Sequence, residues 1–241
     1  MPASLRLAAG LLLLLAVPAL AQGTGAERPD PLVPQGANMD TPPTWTVRMD
    51  PPRGAHPMHR APTVGADSTA DLFFVNMTPG WHITTGPAAI LYHPASTAAG
   101  AFRAEAKIYL FDPDGRNEAF GLLVGGRDLD ADAQSYDYFL IRTSGEFLVK
   151  RRTGGETTTL VPWTAHGAIV GHAGEGPVAN TLAVEAGDTE VAFVVNGATV
   201  ATLPRADVNA DGIVGLRVNH ALNLHVETFA VTAPDGSPLD G

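Results

Sequence analysis

Residues 102–111 read FRAEAKIYLF. Phe102, Ala104, Ala106, Ile108 and Leu110 alternate there with Arg103, Glu105, Lys107 and Tyr109. A period of two puts alternate side chains on opposite faces of a pleated strand. The apolar set is therefore a core face, and the polar set faces solvent or a ligand. The same alternation recurs in Tyr136–Arg142, Phe147–Arg152, Thr181–Glu185, Val191–Val195, Ile213–Asn219 and Leu224–Val231. Between the runs stand Asp112-Pro113-Asp114-Gly115, Ser144-Gly145, Asn196-Gly197 and Asp211-Gly212, residues that suit tight turns. From Phe102 to Val231 the chain is strand, turn, strand, with almost no helical pattern.

Working outward, strands are expected at Trp81–Thr84, Ala89–Tyr92, Ala119–Gly125, Thr158–Val161 and Thr199–Leu203. Trp45, Val47 and Met49 alternate as a further short strand, and Leu72–Val75 is a short apolar run. This is more than an immunoglobulin-like domain uses, and it suits an all-β, two-sheet antiparallel jelly-roll sandwich. The division expected is a signal peptide at 1–21, a flexible Pro/Gly-rich leader at 22–43, one β-sandwich domain at 44–235 and a C-terminal tail at 236–241. Arg6, the apolar run Leu7–Leu20 and the Ala19-Leu20-Ala21 cleavage pattern carry the export reading, with Gln22 as the new N-terminus. The protein is then secreted or periplasmic, with no membrane span after cleavage.

The chain has no cysteine, so its stability comes from an apolar core without disulfides. Its formal charge is −10, and removing Arg6 with the signal peptide makes it −11. Such a surface repels phosphate backbones, which excludes nucleic acid, and it suits neutral ligands or divalent cations.

The order GWHITTGPAAIL, FRAEAKIYLF, AFGLLVGG, YDYFLIR, GEFLVKRR, NTLAVEA, VAFVVNG, DGIVGLRV and LHVETFAV, between Gly80 and Val231, resembles the concanavalin A-like lectin and glucanase superfamily. Within it the likeness is to laminin-G-like domains and to bacterial secreted domains grouped with 3-keto-disaccharide hydrolases. The resemblance implies a curved sandwich whose concave sheet often holds a sugar. It does not imply catalysis, and the Glu-x-Asp-x-x-Glu strand common among the glycanases of this superfamily is absent here.

The polar faces supply a candidate site. Tyr136 and Tyr138 are placed to stack on sugar rings, and Arg103, Glu105, Arg142, Asn219 and His225 to bond hydroxyls. Lys107, Tyr109 and Arg217 complete the set, which is expected to converge in one hollow. The competing reading is a solvated sheet face with charged neighbours such as Arg103 and Glu105. Ala119, Gly121 and Gly125 leave room for a ligand or another backbone. If the protein cleaves glycosides, Glu105 and Glu227 are the carboxylates to use.

Asp207-x-Asn209-x-Asp211-Gly212 opens like a calcium loop, but its twelfth position is Val218 rather than a bidentate acid. Asp128-x-Asp130-x-Asp132 is a second acidic loop, with Ala133 where glycine is wanted. Ca²⁺ is thus the one cofactor the sequence offers, against the simpler reading of solvated acidic turns. His56-x-x-His59 supplies only two imidazoles for a metal. Trp81 and Trp163 read as core anchors. No nucleophile elbow, zinc-protease motif or P-loop is present.

The function expected is a secreted or periplasmic, non-catalytic β-sandwich that binds a carbohydrate or glycoconjugate. Two other readings stay open: a glycoside-cleaving enzyme like the 3-keto-disaccharide hydrolases, and an envelope interaction or structural module without a small ligand.

Overall fold

The computed structural model describes residues 40–50, 64–65, 71–174 and 176–239. The expected signal peptide, most of the leader and the His56/His59 pair lie outside the described residues. The strands are β1 (Thr46–Met49), β2 (Val64–Gly65), β3 (Leu72–Asn76), β4 (Trp81–Thr85), β5 (Ala89–Ala98), β6 (Phe102–Leu110), β7 (Ala119–Arg127), β8 (Ser135–Arg142), β9 (Glu146–Thr153) and β10 (Glu156–Ala165). They continue with β11 (Val178–Ala186), β12 (Glu190–Val195), β13 (Ala198–Pro204), β14 (Gly212–Val218) and β15 (Asn223–Thr232). The only helix among the described residues is a single 3₁₀ turn at Arg205–Asp207.

Two sheets face each other. The front sheet has the order β1-β5-β14-β7-β8-β9-β10, and the back sheet the order β13-β12-β11-β6-β15-β4-β3-β2. Pairing is antiparallel throughout except for two-residue β2, which lies parallel to β3. The alternating residues fill the space between the sheets. Phe102, Ala104, Ala106, Ile108 and Leu110 of β6 meet Phe120, Leu122, Phe139, Ile141, Phe147 and Val149 of the front sheet in one core cluster. Trp45 and Trp81 close one end of that core, ring centroids 4.7 Å apart, against Phe74 and Phe229.

Turn chemistry fixes the hairpins. Asn196 and Gly197 both have positive φ, 51° and 81°, which the right-handed twist of a two-residue hairpin demands. Asn196 also accepts from the Thr181 N–H and donates to the Ala168 carbonyl, tying the turn to its neighbours.

The two front-sheet glycines expected to admit a ligand or a backbone admit backbone. A Cβ on Gly125 would lie 1.8 Å from the Asn209 carbonyl oxygen, and one on Gly121 would lie 2.2 Å from that of Phe139. The Asn209 approach is anchored from below. Asp137, fully buried, takes two hydrogen bonds of 2.8 Å from Arg151 and a third from the Asn209 N–H. A buried carboxylate holds its charge only with this degree of satisfaction.

Candidate functional site

Register decides where each polar side chain goes, and it divides the expected site in two. On β6, Arg103, Glu105, Lys107 and Tyr109 point away from the core on the outer face of the back sheet. His225 lies opposite Tyr109 there, and Glu227 occupies a bulge between Val226 and Thr228 on β15. On β8, Tyr136, Tyr138 and Arg142 point away from the core on the outer face of the front sheet, where Arg217 of β14 joins them. Asn219 sits in the turn after β14, its carbonyl accepting from the Thr85 hydroxyl at 2.7 Å. The single hollow expected from the sequence is therefore corrected. Arg103, Glu105, Lys107, Tyr109 and His225 are separated from Tyr136, Tyr138, Arg142 and Arg217 by the whole thickness of the sandwich. The physical reason is that alternation tells inside from outside, and each of the two sheets has its own outside.

The back face is a ladder of matched charges. Arg103 is paired with Glu105 and Glu185, and Lys107 with Glu227 at 2.6 Å. Hydrogen bonds from Lys107 and Tyr109 hold the Glu227 carboxyl below its usual value. This is the opposite of what a glycosidase acid needs. His82, directly across from His225, is the exception to the solvated character of this face. It is 4% exposed and burial pushes its pKa down to about 4, although a hydrogen bond with Asn223 works the other way.

The front face is different in kind. Across it run Tyr92 of β5, Gly215 of β14, Leu123 of β7, Tyr138 of β8 and Lys150 of β9, each opposite the next. Gly215 is obligatory in this row, since a Cβ there would lie 2.5 Å from the Leu91 carbonyl oxygen. Ile90, Tyr92, Leu123 and Tyr136 form a buried apolar patch on the outer side of the sheet. Leu129, from the loop between β7 and β8, folds back onto it. Arg48 of β1 holds that loop by donating to the carbonyls of Leu129, at 2.9 Å, and Ala131. The acidic residues Asp128, Asp130 and Asp132 thus belong to a flap pinned by an apolar side chain, and all three are exposed.

Beside this patch lies a second one, built of Ala119, Leu140 and Leu148, all buried. Tyr138 and Trp163 are half-buried and both pack on it. The Arg142 guanidinium stacks over the Trp163 ring, 4.3 Å from its centroid, and is paired with Glu146 at 2.6 Å. Hydrogen bonds from Ser144 and Arg142 hold Glu146 below its usual value. Trp163 was expected in the core. Bulges between Thr159 and Val161 and between Val161 and Thr164 turn it outward instead. Trp81 does pack against the core.

Behind Tyr138 the floor becomes polar. Arg217, 9% exposed at its side chain, is ion-paired with Asp50, the residue following β1. Arg152 reaches the same carboxylate at 3.7 Å. Burial pushes Asp50 up, but the hydrogen bond and charge of Arg217, with the charges of Arg152 and His220, outweigh it and leave the group below its ordinary value. Burial pushes Tyr138 up to about 12, so its phenol stays protonated. Asp50, Lys150 and Arg152 were not among the expected ligand residues. The outward direction of Lys150 and Arg152 was readable from β9, whereas Asp50 arrives only through the pairing of β1 with β5.

Of the expected calcium ligands, Asp211 has its side chain bonded within the protein and Asp207 is held through its backbone. The Asp211 carboxylate accepts from the Gly100 N–H at 2.9 Å and from Arg205, and the Asp207 carbonyl accepts from Arg151 at 2.8 Å. Among the described residues no three His, Asp or Glu side chains are grouped as a metal site. No helix among the described residues is long and apolar enough to cross a membrane.

Comparison with known proteins places the architecture. No protein-family model matches the sequence, and no curated protein matches it. Among solved structures, the chain is similar to a carbohydrate-binding module, CBM66, from Bacillus subtilis, at 13% identity and a TM-score of 0.54, covering 80% of this chain and 97% of that one. A GH16 protein from Bacteroides ovatus, in complex with a product, matches at 8% identity and a TM-score of 0.52, covering 78% and 94%. A Bacillus subtilis protein of unknown function with a galectin-like fold matches at 9% identity and a TM-score of 0.52, covering 78% and 89%. These are concanavalin A-like jelly-roll sandwiches, and so is this chain.

Proposed function

We propose that the chain is an exported, non-catalytic carbohydrate-binding sandwich that receives its ligand on the outer face of the front sheet. The observation that carries this reading is the pair of half-buried aromatics, Tyr138 and Trp163, on the apolar floor of Ala119, Leu140 and Leu148. A sugar ring offers apolar C–H faces edged with hydroxyls. It is matched by an aromatic platform with a few placed donors and acceptors. Lys150 lies beside Tyr138, and Arg142, paired with Glu146, covers one face of the Trp163 ring. The architecture shared with a carbohydrate-binding module supports the reading. Export is supported by the Arg6, Leu7–Leu20 and Ala19-Leu20-Ala21 pattern.

The non-catalytic part rests on the carboxylates. Glycoside hydrolysis asks for a pair flanking one bond, with one carboxyl raised in pKa. Glu105 and Glu227 are on the back face and tied to Arg103 and Lys107. On the front face Asp50 and Glu146 are both held below their ordinary values.

Calorimetric titration of an oligosaccharide panel tests the site. Trp163→Ala should weaken binding of the best ligand about tenfold or more, which is the loss of roughly 1.4 kcal/mol of contact. Lys107→Ala, on the other sheet, should leave it unchanged. Equal binding by wild type and Trp163→Ala would place the ligand elsewhere.

A further inference from the structure

We infer that the saccharide bound on the front face carries an oxyanion, a uronate carboxylate or a sulfate ester, and that Lys150 and Arg152 beside Tyr138 receive it. The inference rests on the carbohydrate-binding reading above and adds the charge of the ligand.

The charges on the two faces of the sandwich are not balanced alike. On the back face Arg103 meets Glu105 and Glu185, and Lys107 meets Glu227, so each of these cations has a carboxylate. On the front face Arg142 is paired with Glu146, but Arg217 and Arg152 share the one carboxylate of Asp50. Lys150 lies opposite Tyr138 on one side and Thr159 on the other, half-buried. Among the described residues it has no carboxylate partner. Arg48, along the same face, is spent on backbone carbonyls and reaches only the fully exposed Asp132, at 3.9 Å. This surplus of positive charge sits in a chain whose formal charge is −10. Removing cations from water without partners is costly, and an incoming anion removes that cost.

The surplus also lies where a bound ring would present its substituents. Tyr136 is opposite Arg152 and Tyr138 is opposite Lys150, so the aromatic column of β8 and the cationic column of β9 run side by side. A sugar resting on Tyr138 brings an exocyclic acid within reach of the ammonium of Lys150 and the guanidinium fork of Arg152. Arg152 already gives its Nε to the Gly154 carbonyl, which fixes its plane. Carboxylate and sulfate share the chemistry this arrangement recognises: charge-assisted hydrogen bonds to oxygen. The net negative chain then repels polyanions in general, and admits an acid only where this face collects the positive charge.

The test uses the exported chain and three calorimetric probes: a short oligogalacturonate, the same oligosaccharide with its carboxyl groups reduced, and a sulfated disaccharide. At least one acidic probe should bind about tenfold or more tightly than the reduced one. That preference should shrink at high salt. Lys150→Ala and Lys150→Met should both abolish most of the preference, the acidic probe losing far more affinity than the reduced one. The acidic probe that wins identifies the oxyanion. Equal binding of acidic and reduced probes overturns the inference while leaving the sugar site in place, as does a preference retained in both Lys150 variants. Failure of every saccharide, neutral or charged, to bind removes the site and the inference together.

Discussion

The two outer faces of this sandwich come from the same kind of strand and have opposite characters. The back face, on β6, β11 and β15, exposes long charged side chains that answer one another: Arg103 with Glu105 and Glu185, Lys107 with Glu227. The front face, on β5, β7, β8, β9 and β14, is largely roofed by its own aromatic and aliphatic residues. Its Arg217–Asp50 pair sits within that roof, with Arg217 8% exposed and Tyr136 1%. A sheet that only needs solubility is satisfied by the first arrangement. The second sacrifices hydration of its charges and gains a shaped, partly apolar surface. That difference is the reason for placing the ligand at the front.

The sharpest way to break the comparison is at Asp50. Asp50→Ala should destabilise the fold by about 3 kcal/mol, because Arg217 is left buried without a counter-charge. Denaturant unfolding measures it, and a loss no larger than that of a back-face charge would mean the front pair is no better shielded. A smaller effect probes the one buried imidazole of the back face. His82 titrates near 6.5 in the unfolded chain and near 4 in the folded one. The unfolded state therefore binds more protons between those values. Stability is full above pH 6.5 and declines as pH falls toward 4. Between pH 7.5 and 5 the loss from this group should be about 2 kcal/mol. Urea unfolding of wild type against His82→Gln checks it, with the variant showing the flatter profile. An unchanged slope would mean that His82 is hydrated like its neighbours. The smallest effect belongs to Glu105→Ala, which should cost less than about 1 kcal/mol, since its pair with Arg103 is solvent-screened.

The fold was largely legible because period-two patterning acts locally. FRAEAKIYLF identified both faces of β6, and Asn196-Gly197 marked a hairpin whose two positive φ values confirm it. The candidate site was legible only in part. Tyr138 and Arg142 were read correctly as outward on one face. Sequence cannot say whether the outward face of β6 is also that of β8, because sheet membership is set by pairing between distant segments. Trp163 was hidden by bulges that shift the side-chain phase by a residue, which no alternation rule anticipates. Glu227 occupies a similar bulge, where Val226 is followed by Phe229 rather than by an apolar residue at the next even step. Asp50 follows a short strand and owes its role to a partner more than 160 residues away, Arg217.

The strand order has a consequence for how the chain comes into being. β14 lies between β5 and β7 in one sheet, and β15 lies between β4 and β6 in the other. The last two strands of the sandwich in chain order are thus interior members of both layers. Until they arrive, β5 and β7 have an empty lane between them, and so do β4 and β6. The growing polypeptide has no complete hydrophobic interior to close, and long-range pairing of this kind is slow to nucleate. A sandwich built this way stays threadable until its final two strands join it, which would suit the export proposed above.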